Sequence, residues 1–137
     1  MSGTSKLDLI NCVICDDVRN EIMNKETIVG VYNSGITVPS LPWAMPICLW
    51  FQVMWSGEGE MQLDIAVHNP RQHEVGKING KARAILQGYL STLAFRGLFI
   101  TADMEGTYNI KWRSDYGDWQ LIRDFTFYVQ RAPANAS

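Results

Sequence analysis

Through the middle of the chain apolar and polar residues alternate with a period of two, the spacing at which successive side chains leave opposite faces of a β-strand. In PICLWFQVMW, residues 46–55, Ile47, Leu49, Phe51, Val53 and Trp55 fall on one face, and Cys48, Trp50, Gln52 and Met54 on the other. The first set is the predicted core face. After the turn-like SGEGE, the run MQLDIAVH repeats the arrangement, with Met61, Leu63, Ile65 and Val67 opposed by Gln62, Asp64, Ala66 and His68. The two runs are expected to pair as an antiparallel hairpin with one wet face.

The last third has the same grammar. TYNIKWR directs Tyr108, Ile110 and Trp112 inward, SDYGD turns the chain, and WQLIRDFTFYV returns with Trp119, Leu121, Phe125, Phe127 and Val129. Arg123 interrupts that inward row, which predicts an edge position or a bulge that re-aims it. Nearer the start, Leu9 to Cys15 and Thr27 to Asn33 are two more β-rich runs. Between them DDVRNE predicts a polar turn, in which Asp16 or Asp17 accepts backbone N–H bonds and Arg19 pairs with an acid. Pro39, Pro42 and Pro46 make VPSLPWAMP an extended connector, because proline cannot donate to a ladder.

Residues 75–101 are the ambiguous part. Asn79-Gly80 predicts a turn. KARAILQGYLSTLAF fits strands, or a helix with Ala82, Ile85, Leu86, Tyr89, Leu90 and Leu93 along one side. Gly88 sits badly in a helix, and the flanking runs are strand-like, so strands are favoured. The expected fold is all-β: a two-sheet antiparallel sandwich, immunoglobulin-like or jelly-roll-like, of about seven or eight strands. It is expected to be a single domain over 1–137, flexible at 1–6 and 132–137. DMEGTY adds a clue, since Asp103, Gly106 and Tyr108 at the opening of a strand resemble the tyrosine corner of immunoglobulin-like folds.

Composition narrows the partners. The chain of 137 residues is 47% hydrophobic and 19% charged, enough apolar material for a core without disulfide or metal staples. A net charge of -2 leaves no cationic excess for a phosphate backbone, so nucleic acid is not an expected partner. The basic residues are scattered, and the apolar stretch from Ala44 to Trp55 is interrupted by Pro46 and Gln52, so no membrane association is expected. Three cysteines and an N-terminus without a basic segment followed by a long apolar one point to a reducing, cytoplasmic setting.

Cys12 and Cys15 form a Cys-x-x-Cys spacing, but they sit inside the β-branched LINCVIC rather than at a helix N-terminus. In a strand, residues three apart face opposite ways, so the thiols are expected to diverge as small buried hydrophobes. No second such pair exists, and His68 and His73 have a weak spacing for zinc, so no metal and no cofactor are expected. SGEGE has the glycines of a phosphate loop with repelling acidic neighbours, and no G-x-S-x-G elbow occurs. A hydrolase or metalloenzyme would have to be assembled from His68, His73, Glu74, Asp16 and Asp17, without a local motif.

VICDDVRNE, then Lys25 and TIVGVY, then ITVP before a long apolar strand, resembles the N-terminal signature of a family of uncharacterised bacterial and phage-associated small proteins, a domain of unknown function. GTYNIKW with the closing FTFYV is similar to that family's ending. The resemblance implies an intracellular β-sandwich and carries over no catalytic residue.

Function is therefore sought on the surface. Trp50 shares the nominally exterior face with Cys48 and Met54, and Trp43 stands in the proline-rich connector. The candidate binding surface is Trp43, Trp50, Gln52, Met54, Asp64 and His68. The expected function is a non-enzymatic binding or structural module that self-associates or binds a protein partner. The alternative is a small-ligand module that docks a sugar or peptide on exposed tryptophans.

Overall fold

The computed structural model describes residues 6–33, 35–56, 59–83 and 90–131. The expected flexible tails apart from Lys6, residues 57 and 58 of SGEGE, the helix-or-strand question at 84–89 and the side chain of Trp55 lie outside the described residues. Nine strands form two sheets: β1 (Lys6–Asn20), β2 (Glu26–Tyr32), β3 (Gly35–Val38), β4 (Trp43–Ser56), β5 (Glu60–His68), β6 (Glu74–Arg83), β7 (Leu90–Ala102), β8 (Gly106–Ser114) and β9 (Gln120–Val129). One sheet has the order β2-β1-β4-β7 and the other β3-β9-β8-β5-β6. The fold is all-β, with no α-helix among the described residues.

Alternation located the core well. Ile47, Leu49, Phe51 and Val53 of β4 face Met61, Leu63, Ile65 and Val67 of β5, and all eight are closed to solvent. Each such side chain contributes about 1.5–3 kcal/mol on burial. The expected β4–β5 hairpin, however, does not form. β4 pairs with β1 and β7 and β5 pairs with β6 and β8, so the two strands lie in different sheets. Two strands with matching greasy faces can lie side by side or face to face, and periodicity alone is the same in both cases.

Four further expectations are corrected. Asp16, Asp17 and Arg19 do not form a turn; they continue β1, whose pairing with β2 runs on to Asn20 opposite Glu26. The reversal comes later, at Ile22–Asn24, where Met23 takes a left-handed φ of 63° and Glu21 N–H donates to Lys25 O at 2.7 Å. Asn79 and Gly80 are likewise inside β6, opposite Asp64 and Leu63. The actual β5–β6 turn is built by buried Asn69, whose Oδ1 accepts from the backbone N–H of Arg71 and His73, both at 2.9 Å. The sandwich is not purely antiparallel, because β3 runs parallel to β9, and this short strand just before Pro39 brings the strands among the described residues to nine. The connector also shrinks: Pro46 lies within β4, opposite Phe99.

At β9 the inward row breaks as Arg123 foretold. The β8–β9 register shifts between Ile110 and Lys111, leaving Ile122 as the extra residue. Past that bulge, Leu121 and Trp119 are turned out, at 59% and 36% exposure, rather than into the core. Arg123 takes the inward place and reaches across to the other sheet, where its guanidinium donates to Cys12 O at 2.8 Å and to Asn33 O.

Two devices hold the sheets in relation to each other. Fully buried Tyr108 closes the β7–β8 crossover: its hydroxyl lies 2.8 Å from Met104 O and 2.9 Å from Asp103 Oδ1, and accepts from the N–H of Asp103 and Met104 at 3.2 Å. Asp103 Oδ2 in turn accepts from Asn69 Nδ2 at 2.9 Å, joining the crossover to the β5–β6 turn. On the same side β6 abuts β7. A Cβ at Gly76 would stand 2.7 Å from Phe99 O, a separation only glycine permits.

Candidate functional site

The outer face of the four-stranded sheet carries most of the unusual chemistry. The register sets Ala44 beside Thr101, Pro46 beside Phe99, Trp50 beside Ala94, Gln52 beside Thr92 and Met54 beside Leu90. On β1 the partners of Gln52, Trp50 and Cys48 are Asn11, Val13 and Cys15. This face is apolar at both ends: Phe99 is 67% exposed, Leu90 54% and Met54 38%. Its middle is polar, with Asn11 Nδ2 donating to Gln52 Oε1 at 3.1 Å.

Trp50 is half-buried rather than a free platform. Its indole N–H donates to Glu26 Oε1 at 3.2 Å, and the Thr92 hydroxyl donates to the same oxygen, so the start of β2 is latched over β4 and β7. A second strap comes from β7. Between the pairs Ile47–Leu98 and Leu49–Phe95, β7 has Arg96 and Gly97 opposite the single residue Cys48. Gly97 adopts φ 74°, which suits glycine and leaves Arg96 aimed back across the sheet. Arg96 donates from Nη2 and Nε to Val18 O at 2.6 and 3.1 Å, and its Nε lies 3.6 Å from Asp17 Oδ1. Beneath these straps Cys15, Cys48 and Val18 form a small buried cluster, flanked by Val13, Ile28, Trp50 and Ala94.

Cys12 and Cys15 diverge as expected. Cys12 packs against the main core near Arg123, and Cys15 lies in the separate cluster under the straps. Burial pushes both thiols up to about 12; Arg123 opposes the rise at Cys12, and Cys48 adds to it at Cys15. Among the described residues no three His, Cys, Asp or Glu side chains converge on a point that could hold a metal. Asp16 instead accepts from the Tyr32 hydroxyl at 2.6 Å, and this bond, with burial and the Asp16 charge, raises the Tyr32 pKa to about 12.

The candidate surface read from the sequence is divided. Trp50, Gln52 and Met54 share the outer face just described. Trp43 opens β4 opposite buried Ala102, in line with the inward row, yet is 39% exposed at the end of the strand. Asp64 and His68 belong to β5 and lie on the outside of the other sheet. Asp64 is buried and ion-paired with Arg113 at 2.9 Å, and the guanidinium rests over Trp119, 4.6 Å from the ring centroid. His68 stands opposite Glu74, and its buried Nδ1 has no hydrogen-bond partner among the described residues. Burial, then Lys111, lowers its pKa below 6.5, while Glu74 opposes them. His73 is exposed in the turn, and Asp16 and Asp17 are on the opposite sheet, so the enzyme-like constellation is not brought together.

Sequence reasoning missed Phe99, Leu90 and Arg96. Phe99 and Leu90 fell in the stretch with competing periodicities, and Arg96 is directed by a bulge for which Gly97 was the available signal. It also missed a cavity of about 330 Å³ at the open end of the sandwich, lined by Asp8, Trp112, Arg113, Asp118 and Gln120 among others.

The model of a family of unknown function, DUF6941, matches residues 11–120. No curated protein matches the chain.

Proposed function

The chain belongs to the DUF6941 family, whose function is unknown, and from that premise we propose that it is a non-enzymatic binding module that joins a second copy of itself through the outer face of the four-stranded sheet. The observation that carries this reading is the exposed apolar pair at each end of β4 and β7, Pro46 with Phe99 and Met54 with Leu90. Exposed apolar side chains grouped on one face favour association. A two-fold axis through the middle of the face would lay the Phe99 end of one copy over the Leu90 end of the other, with Trp50, Ala94 and Val13 meeting their own counterparts. The Arg96–Asp17 pair and Glu26 put both signs of charge on the face, as self-complementarity requires. A bacterial or phage-associated setting and an immunoglobulin-like rather than jelly-roll topology belong to the same reading, the latter supported by the Tyr108 corner.

Sedimentation equilibrium tests it. The wild-type chain is expected to give a dimer mass that falls to the monomer with Phe99→Glu, at unchanged far-UV circular dichroism. A wild-type monomer at all concentrations would refute it.

A second reading, a small-ligand module for a sugar or peptide, is favoured by the cavity beside Trp112 and Arg113. Its volume is at the lower end of ligand sites, about 300–1,000 Å³. Tryptophan fluorescence during a screen of glycans and peptides checks it; no shift with any ligand removes it.

A further inference from the structure

β1 and β4 set two thiols side by side. Cys15 and Cys48 are direct partners in the antiparallel register. Both are closed to solvent, and the Cys15 thiol donates to Cys48 O at 3.6 Å. Residues directly opposite in such a ladder have Cα atoms about 4.5–5.5 Å apart and side chains on one face. A disulfide spans Cα separations of roughly 4.4–6.8 Å. Cys12, the third free thiol, packs on the core side of the same sheet and cannot compete.

From this juxtaposition we propose that Cys15 and Cys48 form a cross-strand disulfide, with a low-molecular-weight disulfide such as oxidised glutathione as the oxidant. One cysteine, as thiolate, attacks a sulfur of the oxidant, breaks its S–S bond and releases one small thiol. The second cysteine then displaces the other small thiol from the mixed disulfide. The protein gains one S–S bond, the oxidant loses one, and the two protons leave with the two small thiols formed.

The straps set the rate. Trp50 tied to Glu26, and Arg96 tied to Val18 O, lie over the pair, so the oxidant reaches a sulfur only when the β2 edge lifts. Burial also keeps the Cys15 thiolate scarce while the sheet is closed. The pair therefore oxidises slowly in the folded chain, and the finished bond is shielded from reductants by the same cover. The proposal does not depend on self-association, because both thiols belong to one chain.

Intact-mass and non-reducing peptide mapping of the full chain after incubation with oxidised glutathione tests the proposal, with free thiols trapped by a maleimide. The expected product has lost the mass of two hydrogens, contains a Cys15–Cys48 linked peptide, retains an alkylated Cys12 and reverts with dithiothreitol. Cys48→Ser should stop at a glutathione adduct on Cys15, and Glu26→Ala should oxidise several-fold faster than wild type. A wild-type product that stops at a stable adduct, or that links Cys12, overturns the proposal. If the folded chain does not react, it is refolded with oxidised glutathione present; a Cys15–Cys48 bond absent there too also overturns it.

Discussion

Removing the Tyr108 hydroxyl tests the joint between the two sheets. Tyr108→Phe keeps the ring and its contacts with Phe125 and Phe127, at centroid separations of 5.7 and 4.8 Å, so little packing is lost. What goes is one oxygen within 3.2 Å of Asp103 N, Met104 N, Met104 O and Asp103 Oδ1. One donated hydrogen bond contributes about 1 kcal/mol net, and leaving its backbone partners short in a water-poor corner costs roughly 1–2 kcal/mol more. The expected loss is therefore about 2–3 kcal/mol. With a urea slope of about 1–3 kcal/mol/M for a domain of this class, the unfolding midpoint should fall by roughly 0.7–3 M with the slope unchanged. Tyr108 and Asp103 share one network, so Asp103→Ala combined with Tyr108→Phe should cost less than the sum of the two. A loss below about 0.5 kcal/mol, or strict additivity, would mean that the hydroxyl does not hold the crossover.

Three further outcomes follow from the packing. Gly76→Ala forces a methyl against Phe99 O and should destabilise by about 1–3 kcal/mol in chemical denaturation, whereas a neutral result would mean that β6 and β7 do not abut as described. Arg123→Met removes the guanidinium that joins β9 to Cys12 O and should lower stability by about 1–3 kcal/mol while retaining the strand content seen by circular dichroism. His68 is harder to protonate in the folded chain than in the unfolded one, so the unfolded state binds the extra proton first as pH falls. Stability should drop as pH descends from the unfolded value near 6.5 toward the lower folded one and then level off; His68→Gln should flatten that segment in pH-dependent melting curves.

Much of the fold was legible, because a period of two is a direct record of which side chains face inward. Leu49, Phe51, Leu63, Ile65, Tyr108 and Phe127 are all core residues placed by that rule. It does not encode which strand lies beside which, and that is why β4 and β5 were expected as a hairpin and found in facing sheets. Polarity misled at Asp16, Asp17 and Asn79, since exposed strand positions tolerate polar side chains as readily as turns do. Arg123 was the most informative single residue: a lone charge in an apolar row foretold a bulge, though not that its guanidinium would span the core.

Legibility of the surface was lower. The parity of Trp50 and Met54 places them on the outer face, but the Glu26 bond to Trp50 and the Arg96 strap over Cys48 depend on β2 folding back and on the bulge at Gly97, neither of which leaves a periodic trace. Alternation groups Asp64 and His68 with them only if β4 and β5 are neighbours, and the two strands lie in different sheets. Cys48 was placed outside by alternation and is in fact closed to solvent, for the outer face has a buried cluster of its own.

Photo-crosslinking most directly tests whether copies meet through the outer face of the four-stranded sheet. A photoreactive residue placed at exposed Thr101, beside Phe99, should yield a covalent dimer linked to peptides of β4 or β7, and the same residue at exposed Lys77 on the other sheet should yield none. A dimer formed from position 77, or none from position 101, would contradict the account.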